Sequence, residues 1–247
     1  FLARVGAGME NIDSKKAQEL GIALINSPEG NRDAVAEHVL GMLLLLMNRL
    51  FIASSEVKNG IWKREENRGD ELMEKTFGII GYGNMGKATA QRLSGFGVKV
   101  IFYDILPHLS DTFASQVSLQ ELQQRADVIS LHIPLTRETH NMIDENFIAE
   151  MKKPFYFINT ARGKNVKTKA LVEGLKSGKV IGACLDVLEY EKSSFENLEI
   201  ENEDLHYLLT SEKAIVTPHI AGWTHQSKIK LAQFIVDKIL KLYNGAI

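Results

Sequence analysis

Four side chains able to do acid–base and anion chemistry follow short β-branched or apolar runs: Arg162 in Asn159-Thr160-Ala161-Arg162-Gly163, Glu189 and Glu191 after Leu185-Asp186-Val187, and His219 in Thr217-Pro218-His219. A guanidinium grips a carboxylate through two parallel hydrogen bonds. An imidazole exchanges a hydroxyl proton near neutral pH, and a nearby carboxylate orients and tunes it. Together these groups suit reversible oxidation of a 2-hydroxy acid, with a nicotinamide exchanging the hydride. Taken singly, each has a plainer account: Arg162 as a solvated loop cation, either glutamate as one more charge in an acidic loop, His219 as one of seven histidines.

A second feature supplies the hydride carrier. Phe77-Gly78-Ile79-Ile80 runs into Gly81-Tyr82-Gly83-Asn84-Met85-Gly86, a G-x-G-x-x-G at a strand-to-helix turn. Gly81 would permit the tight turn, Gly83 the approach of a pyrophosphate, and Gly86 close helix packing. The helix N-terminus adds donors and a favourable dipole. Asp104 closes the next strand 18 residues beyond Gly86, the position of a ribose-binding acid. The same stretch nearly spells a P-loop, but Ala88 stands where Ser or Thr must bind Mg²⁺, and Thr89 is one place late. NAD is therefore expected over ATP, and NAD over NADP. His132-Ile133-Pro134, beyond another strand, would line the same crevice.

The elements that must position these groups alternate. Strands are expected at Ile22–Ile25, Phe77–Ile80, Val98–Tyr103, Val128–Ile133, Phe155–Asn159, Val180–Leu185 and Ala214–Thr217. Helices are expected at Gly86–Phe96, Leu119–Ala126, Glu145–Met151 (capped by Asp144) and Lys167–Ser177 (stopped by Gly178). This is an α/β, doubly wound parallel sheet, in which the strand ends carrying Arg162, Glu189, Glu191 and His219 share one edge. Longer helices, Asp33 to about Lys58 and Thr224 to about Tyr243, frame it; Lys58–Lys75 and the acidic Glu189–Asp204 read as loops.

Composition narrows the partners. With 29 basic and 31 acidic residues, a net charge of −2 gives no general attraction to nucleic acid or a membrane surface. The longest apolar run, Val39–Met47, is far short of the ~20 residues of a spanning helix. Cys184 is the single cysteine, which excludes an internal disulfide and a multi-cysteine zinc site and suits a reducing, cytoplasmic setting. No metal is expected, since neither H-E-x-x-H nor C-x-x-C occurs. The chain starts at Phe1 without methionine or signal-peptide pattern, which reads as an internal start.

These motifs, in this order, resemble the D-isomer-specific 2-hydroxyacid dehydrogenases over nearly the whole chain. The resemblance rests on Arg4 to Asp13, Gly30-Asn31 through Ala36-Glu37-His38, Gly81–Gly86 with Asp104, His132-Ile133-Pro134-Leu135 with Thr139, Asn159–Gly163, Gly182–Val187 and Thr217–Gly222. It implies that Arg162 binds the substrate carboxylate and carbonyl, that His219 is the general acid/base, and that Glu191 raises its pKa. Glu191 rather than Glu189 is the match, because the family glutamate falls five residues after the aspartate matched by Asp186; Lys192 departs from the usual proline. Cofactor contacts are implied for Gly81, Gly83, Asn84, Met85, Gly86 and Asp104. Further contacts fall to His132, Ile133, Pro134, Thr139, Thr160, Ala161, Asp186, His219 and Gly222. Substrate contacts are implied for Arg4, Ala7, Gly8, Asn31 and Arg162.

The resemblance further implies a Rossmann-type cofactor domain at 28–217, inserted into a flavodoxin-like substrate domain of which 1–27 and 218–247 are parts and whose N-terminal portion is mostly missing here. Domain closure would exclude water, and a homodimer using the 33–58 helix is expected. Arg4 matches a phosphate-binding arginine of short D-3-phosphoglycerate dehydrogenases, which makes D-3-phosphoglycerate the favoured substrate over glyoxylate, hydroxypyruvate or another 2-keto acid. A reading of another class, a dinucleotide-sensing module like the corepressors that share this fold, is separated from an enzyme by substrate turnover.

Overall fold

The computed structural model describes residues 1–191 and 202–244. The chain opens with β1 (Leu2–Ala3), α1 (Ser14–Glu19) and β2 (Leu24–Ile25), followed by α2 (Arg32–Met47) and α3 (Leu50–Lys58). The alternating part contains β3 (Thr76–Ile80), α4 (Asn84–Leu93), β4 (Lys99–Tyr103), β5 (Ser115–Gln116), α5 (Leu119–Arg125), β6 (Val128–Leu131), α6 (Glu145–Glu150), β7 (Phe155–Asn159), α7 (Thr168–Ser177), β8 (Val180–Leu185), α8 (Glu203–Thr210) and β9 (Ala214–Val216). It ends in α9 (His225–Asn244).

Strands β3 to β9 form one sheet in the order β5-β4-β3-β6-β7-β8-β9, every pairing parallel. The order reverses between β3 and β6, and such a reversal opens a crevice beyond the strands' carboxyl ends. Because both faces are covered, β6 and β7 are buried along their whole length, Ser130 and Asn159 among otherwise apolar or aromatic residues. On one face β3, β4, β7 and β8 pack against α2 and α4 through Phe77, Phe102, Ile158 and Leu43. On the other, Phe155, Phe157 and Ile129 pack beneath α5 to α8. Each of these buried side chains contributes about 1.5–3 kcal/mol.

The expected caps are present. Asp144 accepts a hydrogen bond from the Phe147 N–H at the start of α6, and Gly178 closes α7 at φ +79°. Three expectations need correction. Ile22–Ile25 supplies no strand to the main sheet; its end, Leu24–Ile25, pairs in parallel with Leu2–Ala3 in a separate two-stranded sheet. The 33–58 helix is broken: Arg49 adopts φ +53°, where its guanidinium reaches Glu212 at 3.1 Å and Asn67 at 3.3 Å, and α2 and α3 meet at 61°. The acidic 189–204 stretch is not all loop, since α8 begins at Glu203, capped by Asn202; residues 192–201 of it, Lys192 included, lie outside the described residues.

Among the described residues no single helix is long and apolar enough to cross a membrane, and no group of three or more His, Cys, Asp or Glu side chains could hold a metal ion. Helix α9 is tied to the turn before α2. A Cβ on Gly30 would lie 2.6 Å from the Leu231 backbone, and Lys238 bonds both the Asn26 carbonyl and Glu29 at 2.8 Å.

Candidate active site

The glycine loop sits at the reversal point, where Gly81 and Gly86 admit no side chain and Gly83 borders open space. Gly81 has φ +93°, and a Cβ there would lie 2.5 Å from the His132 carbonyl oxygen. A Cβ on Gly86 would lie 2.2 Å from the Gly81 carbonyl oxygen, so α4 starts hard against the turn. A Cβ on Gly83 would meet nothing within 4 Å, so the space beside this residue is open to a ligand. Asn84 and Met85 then begin α4. Across the crevice the Tyr82 N–H donates to Asp104 Oδ2 at 2.6 Å and the Leu106 N–H to Oδ1 at 2.9 Å, fixing this carboxylate at the end of β4. The Tyr82 ring stacks on Phe102 and its hydroxyl donates to Asp111 at 2.9 Å.

His132, Ile133 and Pro134 form the opposite wall, with His132 and Ile133 both beside Gly81. Desolvation pushes the His132 imidazole down to about 4, so it is neutral near pH 7, and its Nε2 lies 2.9 Å from Ser130 Oγ. Thr139 Oγ1 donates to the Pro134 carbonyl at 2.7 Å, tying this loop into a tight turn. Among the residues expected to contact ligands, Thr160 Oγ1 beyond β7 and Asn31 Oδ1 ahead of α2 are buried without a hydrogen-bond partner. A buried acceptor or hydroxyl without a partner costs about 1–3 kcal/mol. The open space beside Gly83, the ordered Asp104 carboxylate and the orphaned Thr160 hydroxyl fit a bound dinucleotide.

The loop beyond β7 is held by Asn159, whose Oδ1 accepts from the Ala161 N–H at 3.0 Å and whose Nδ2 donates to the Arg162 carbonyl at 2.9 Å. Arg162 donates through Nε to Glu10 Oε1 at 2.6 Å and through Nη1 to the Ala161 carbonyl at 2.7 Å. A Cβ on Gly8 would lie 2.4 Å from Arg162 Nη2, so the loop carrying Ala7 and Gly8 is packed against the guanidinium. The Ala7 carbonyl is fixed by Asn26 Nδ2 at 2.7 Å. Arg4 approaches the same point, with Nη1 at 3.8 Å from Glu10 Oε2 and no hydrogen-bond partner.

The two glutamates left open by spacing have different tasks. Glu189 accepts the Thr168 N–H at 2.8 Å and so caps the start of α7. Glu191 accepts the Leu188 N–H through Oε1 at 2.5 Å and faces His219 through Oε2, 2.9 Å from Nδ1. That contact makes Nδ1 the donor and leaves proton exchange to Nε2. His219 has φ +56°, a left-handed backbone unfavourable for a side chain with a Cβ, and Asp186 holds it there. The buried Asp186 carboxylate accepts from Thr217 Oγ1 at 2.5 Å and from the N–H groups of Ile220 and Ala221 at 2.8 Å; its carbonyl accepts the His219 N–H at 2.9 Å. Asp186, expected to contact cofactor, thus also builds the turn that presents His219. Gly222 meets Asn31, whose Nδ2 would lie 2.5 Å from an added Cβ.

The structure thus gathers the expected residues into an Arg162–Arg4–Gly8 cluster, a Glu191–His219 pair and the glycine cradle. Two participants had no assigned role in the sequence. Glu10 joins both arginines, and its position inside the Arg4–Asp13 motif was the available signal. His38 lies 3.1 Å from Thr217 Oγ1 and 3.6 Å from Asp186, linking α2 to the histidine turn; its place at the end of the Gly30–His38 motif was the available signal.

A dinucleotide cradle at the reversal of a parallel sheet, beside an arginine and a histidine–glutamate pair, defines an NAD-dependent dehydrogenase. Residues 40–221 match the model of the D-isomer specific 2-hydroxyacid dehydrogenase NAD-binding domain, and the chain belongs to this family. It is 38% identical over 241 residues to a hydroxypyruvate reductase of Thermotoga maritima, covering 98% of this chain and 76% of the relative. It is 34% identical over 250 residues to a D-3-phosphoglycerate dehydrogenase of Bacillus subtilis, covering 99% of this chain and 45% of the relative. Among solved structures it is similar to the Aquifex aeolicus D-lactate dehydrogenase complexed with NAD and lactic acid, with a TM-score of 0.86, 34% identity and coverage of 98% and 76% of the two chains.

Proposed function

We propose that this NAD-dependent D-2-hydroxyacid dehydrogenase acts on D-3-phosphoglycerate. One observation carries the reading: the guanidinium groups of Arg4 and Arg162 converge on one carboxylate, Glu10, and Arg4 Nη1 is buried without a hydrogen bond. Two cations around one anion suit a substrate bearing both a carboxylate and a phosphate. NAD, held by Gly81, Gly83, Asn84, Met85, Gly86 and Asp104, supplies the hydride chemistry when bound. His132, Ile133, Pro134, Thr139, Thr160, Ala161, Asp186, His219 and Gly222 complete its contacts. Arg162 grips the substrate carboxylate with the backbone of Ala7 and Gly8, and Asn31 adds a polar contact. In the oxidative direction His219 Nε2 takes the hydroxyl proton, and Glu191 on Nδ1 stabilises the imidazolium that forms.

Residues 28–217 act as the cofactor domain, with 1–27 and 218–247 belonging to the substrate domain. We also infer a homodimer, supported by the exposed Leu50, Val57, Ile61 and Trp62 on α3 and the following loop. We also infer a reducing, cytoplasmic setting, in keeping with a free thiol at Cys184, the single cysteine.

A second reading, reduction of hydroxypyruvate or glyoxylate, is favoured by the 38% identical hydroxypyruvate reductase. An NADH absorbance assay decides: NAD reduction with D-3-phosphoglycerate beside NADH oxidation with hydroxypyruvate, glyoxylate and pyruvate. Turnover of the phosphorylated acid is the expected result. Turnover of the unphosphorylated acids alone moves the substrate and keeps the chemistry. Tight NADH binding without turnover points to a sensing module.

A further inference from the structure

We propose that Glu10 is the positioning residue for Arg162, fixing the plane of its guanidinium so that the remaining edge meets the substrate carboxylate. The inference rests on the dehydrogenase reading above and adds a residue to its machinery. Arg162 lies on a loop and has several rotatable bonds, and a bidentate grip needs that fork held in one plane. Two contacts hold it. Nε donates to Glu10 Oε1 at 2.6 Å, and Nη1 donates to the Ala161 carbonyl at 2.7 Å. Nη2 is directed at Gly8, where a Cβ would lie 2.4 Å away. Glu10 therefore takes the Nε side, and Nη2 faces the Gly8 loop, whose backbone is placed to hold an acid.

The carboxylate is itself constrained. Its Oε2 would lie 2.2 Å from a Cβ on Gly8 and faces Arg4 Nη1 at 3.8 Å, so one anion spaces two cations that would otherwise repel. Burial raises the Glu10 carboxyl pKa, but the Arg162 hydrogen bond, a backbone hydrogen bond and the charges of Arg162 and Arg4 outweigh it, so the group is held below its ordinary value and ionised.

The test uses the NADH-loaded protein and oxamate, an unreactive 2-keto acid isostere, with quenching of NADH fluorescence as the readout and kcat and KM measured separately. Glu10→Ala is expected to weaken oxamate about 10- to 100-fold, the range for losing a charge-assisted hydrogen bond. NADH affinity should stay within about twofold, a change worth well under 1 kcal/mol. Glu10→Gln, whose amide oxygen still accepts from Nε, should recover most of the loss. Tighter oxamate in either variant would make Glu10 a competitor of substrate and overturn the proposal, as would unchanged binding, equal loss of NADH affinity, or no oxamate binding by the parent. If the parent turns over no keto acid while oxamate behaves as expected, the proposed function fails and the role of Glu10 stands.

Discussion

Gly163 lies so close to Leu188 that a Cβ on the former would stand 1.9 Å from the carbonyl oxygen of the latter. This contact sets the loop after β7 directly on the loop after β8, and therefore places Arg162 relative to Glu191. Gly163→Ala must push the two loops apart. Overpacking of this kind costs about 1–3 kcal/mol. The expected result in urea unfolding is a loss of that size, together with a fall of kcat/KM for the keto acid of about 10-fold or more because both clusters move. An unaltered kcat/KM in a folded Gly163→Ala protein would show that the loops can separate without disturbing the chemistry.

Arg162 and His219 should separate in kinetics. Arg162→Ala should depress kcat/KM severely and leave NADH affinity nearly intact, because the guanidinium bonds Glu10 and Ala161 rather than the glycine cradle. His219→Gln keeps a polar side chain but cannot exchange protons. Its kcat should fall about 10²- to 10⁴-fold, the usual worth of a general acid or base. Oxamate should still bind the NADH complex of His219→Gln, and its failure to do so would assign the histidine to binding rather than proton transfer.

Most of the framework was legible because its signals are local. The alternation of apolar strands with capped helices located β3, β4, β6, β7, β8 and β9, and Gly81 and Asp104 declared the crevice through their positions at strand ends. What escaped depends on contacts distant in sequence. The break at Arg49 is invisible in an apolar helical run, since it is secured by Glu212 and Asn67. Glu10 reaches a residue 152 positions away, and His38 reaches one 179 positions away; neither spacing leaves a pattern. Residue type and spacing alone left Glu189 and Glu191 equivalent, and only the resemblance selected Glu191, because the difference between a helix cap and a histidine partner lies in loop direction.

Asp186 is a sharper test of how His219 is presented. Its carboxylate accepts two backbone N–H groups and the Thr217 hydroxyl while His219 sits at φ +56°. Asp186→Ala would leave these donors unpaired, at about 1–3 kcal/mol for the buried Ala221 N–H and less for those of Ile220 and Thr217, which are nearer solvent. Thermal or urea unfolding should show a loss of several kcal/mol. A stable variant with parental kcat would mean that Pro218 and the β9 pairing suffice to hold the turn.

Asp104 should govern the choice of dinucleotide. Its oxygens are held by the Tyr82 and Leu106 N–H groups, so the carboxylate is ordered where a ribose would lie, and a negative charge there repels a 2′-phosphate. Asp104→Ala should weaken NAD and narrow the preference for NAD over NADP, measured as the ratio of kcat/KM values. An unchanged ratio would remove Asp104 from the ribose site.

His132, partly buried beside Gly81, gives a pH dependence whose sign is fixed by desolvation of its ring. Desolvation lowers its pKa from the ordinary 6.5 to about 4, so between these values the unfolded chain takes up a proton that the folded protein does not. Its stabilising contribution is fully present above pH 6.5 and is lost as pH falls toward 4, amounting to about 3 kcal/mol over the window at 1.36 kcal/mol per unit. Many carboxylates titrate nearby, so the informative quantity is a difference between two proteins. His132→Gln retains a polar group opposite Ser130 and removes the titration. Urea unfolding at pH 7 and pH 4.5 should show the parent losing about 2 kcal/mol more than the variant. Equal losses in the two proteins would mean that the imidazole is hydrated in the folded state, and the wall of the crevice beside Gly81 would then be open to water.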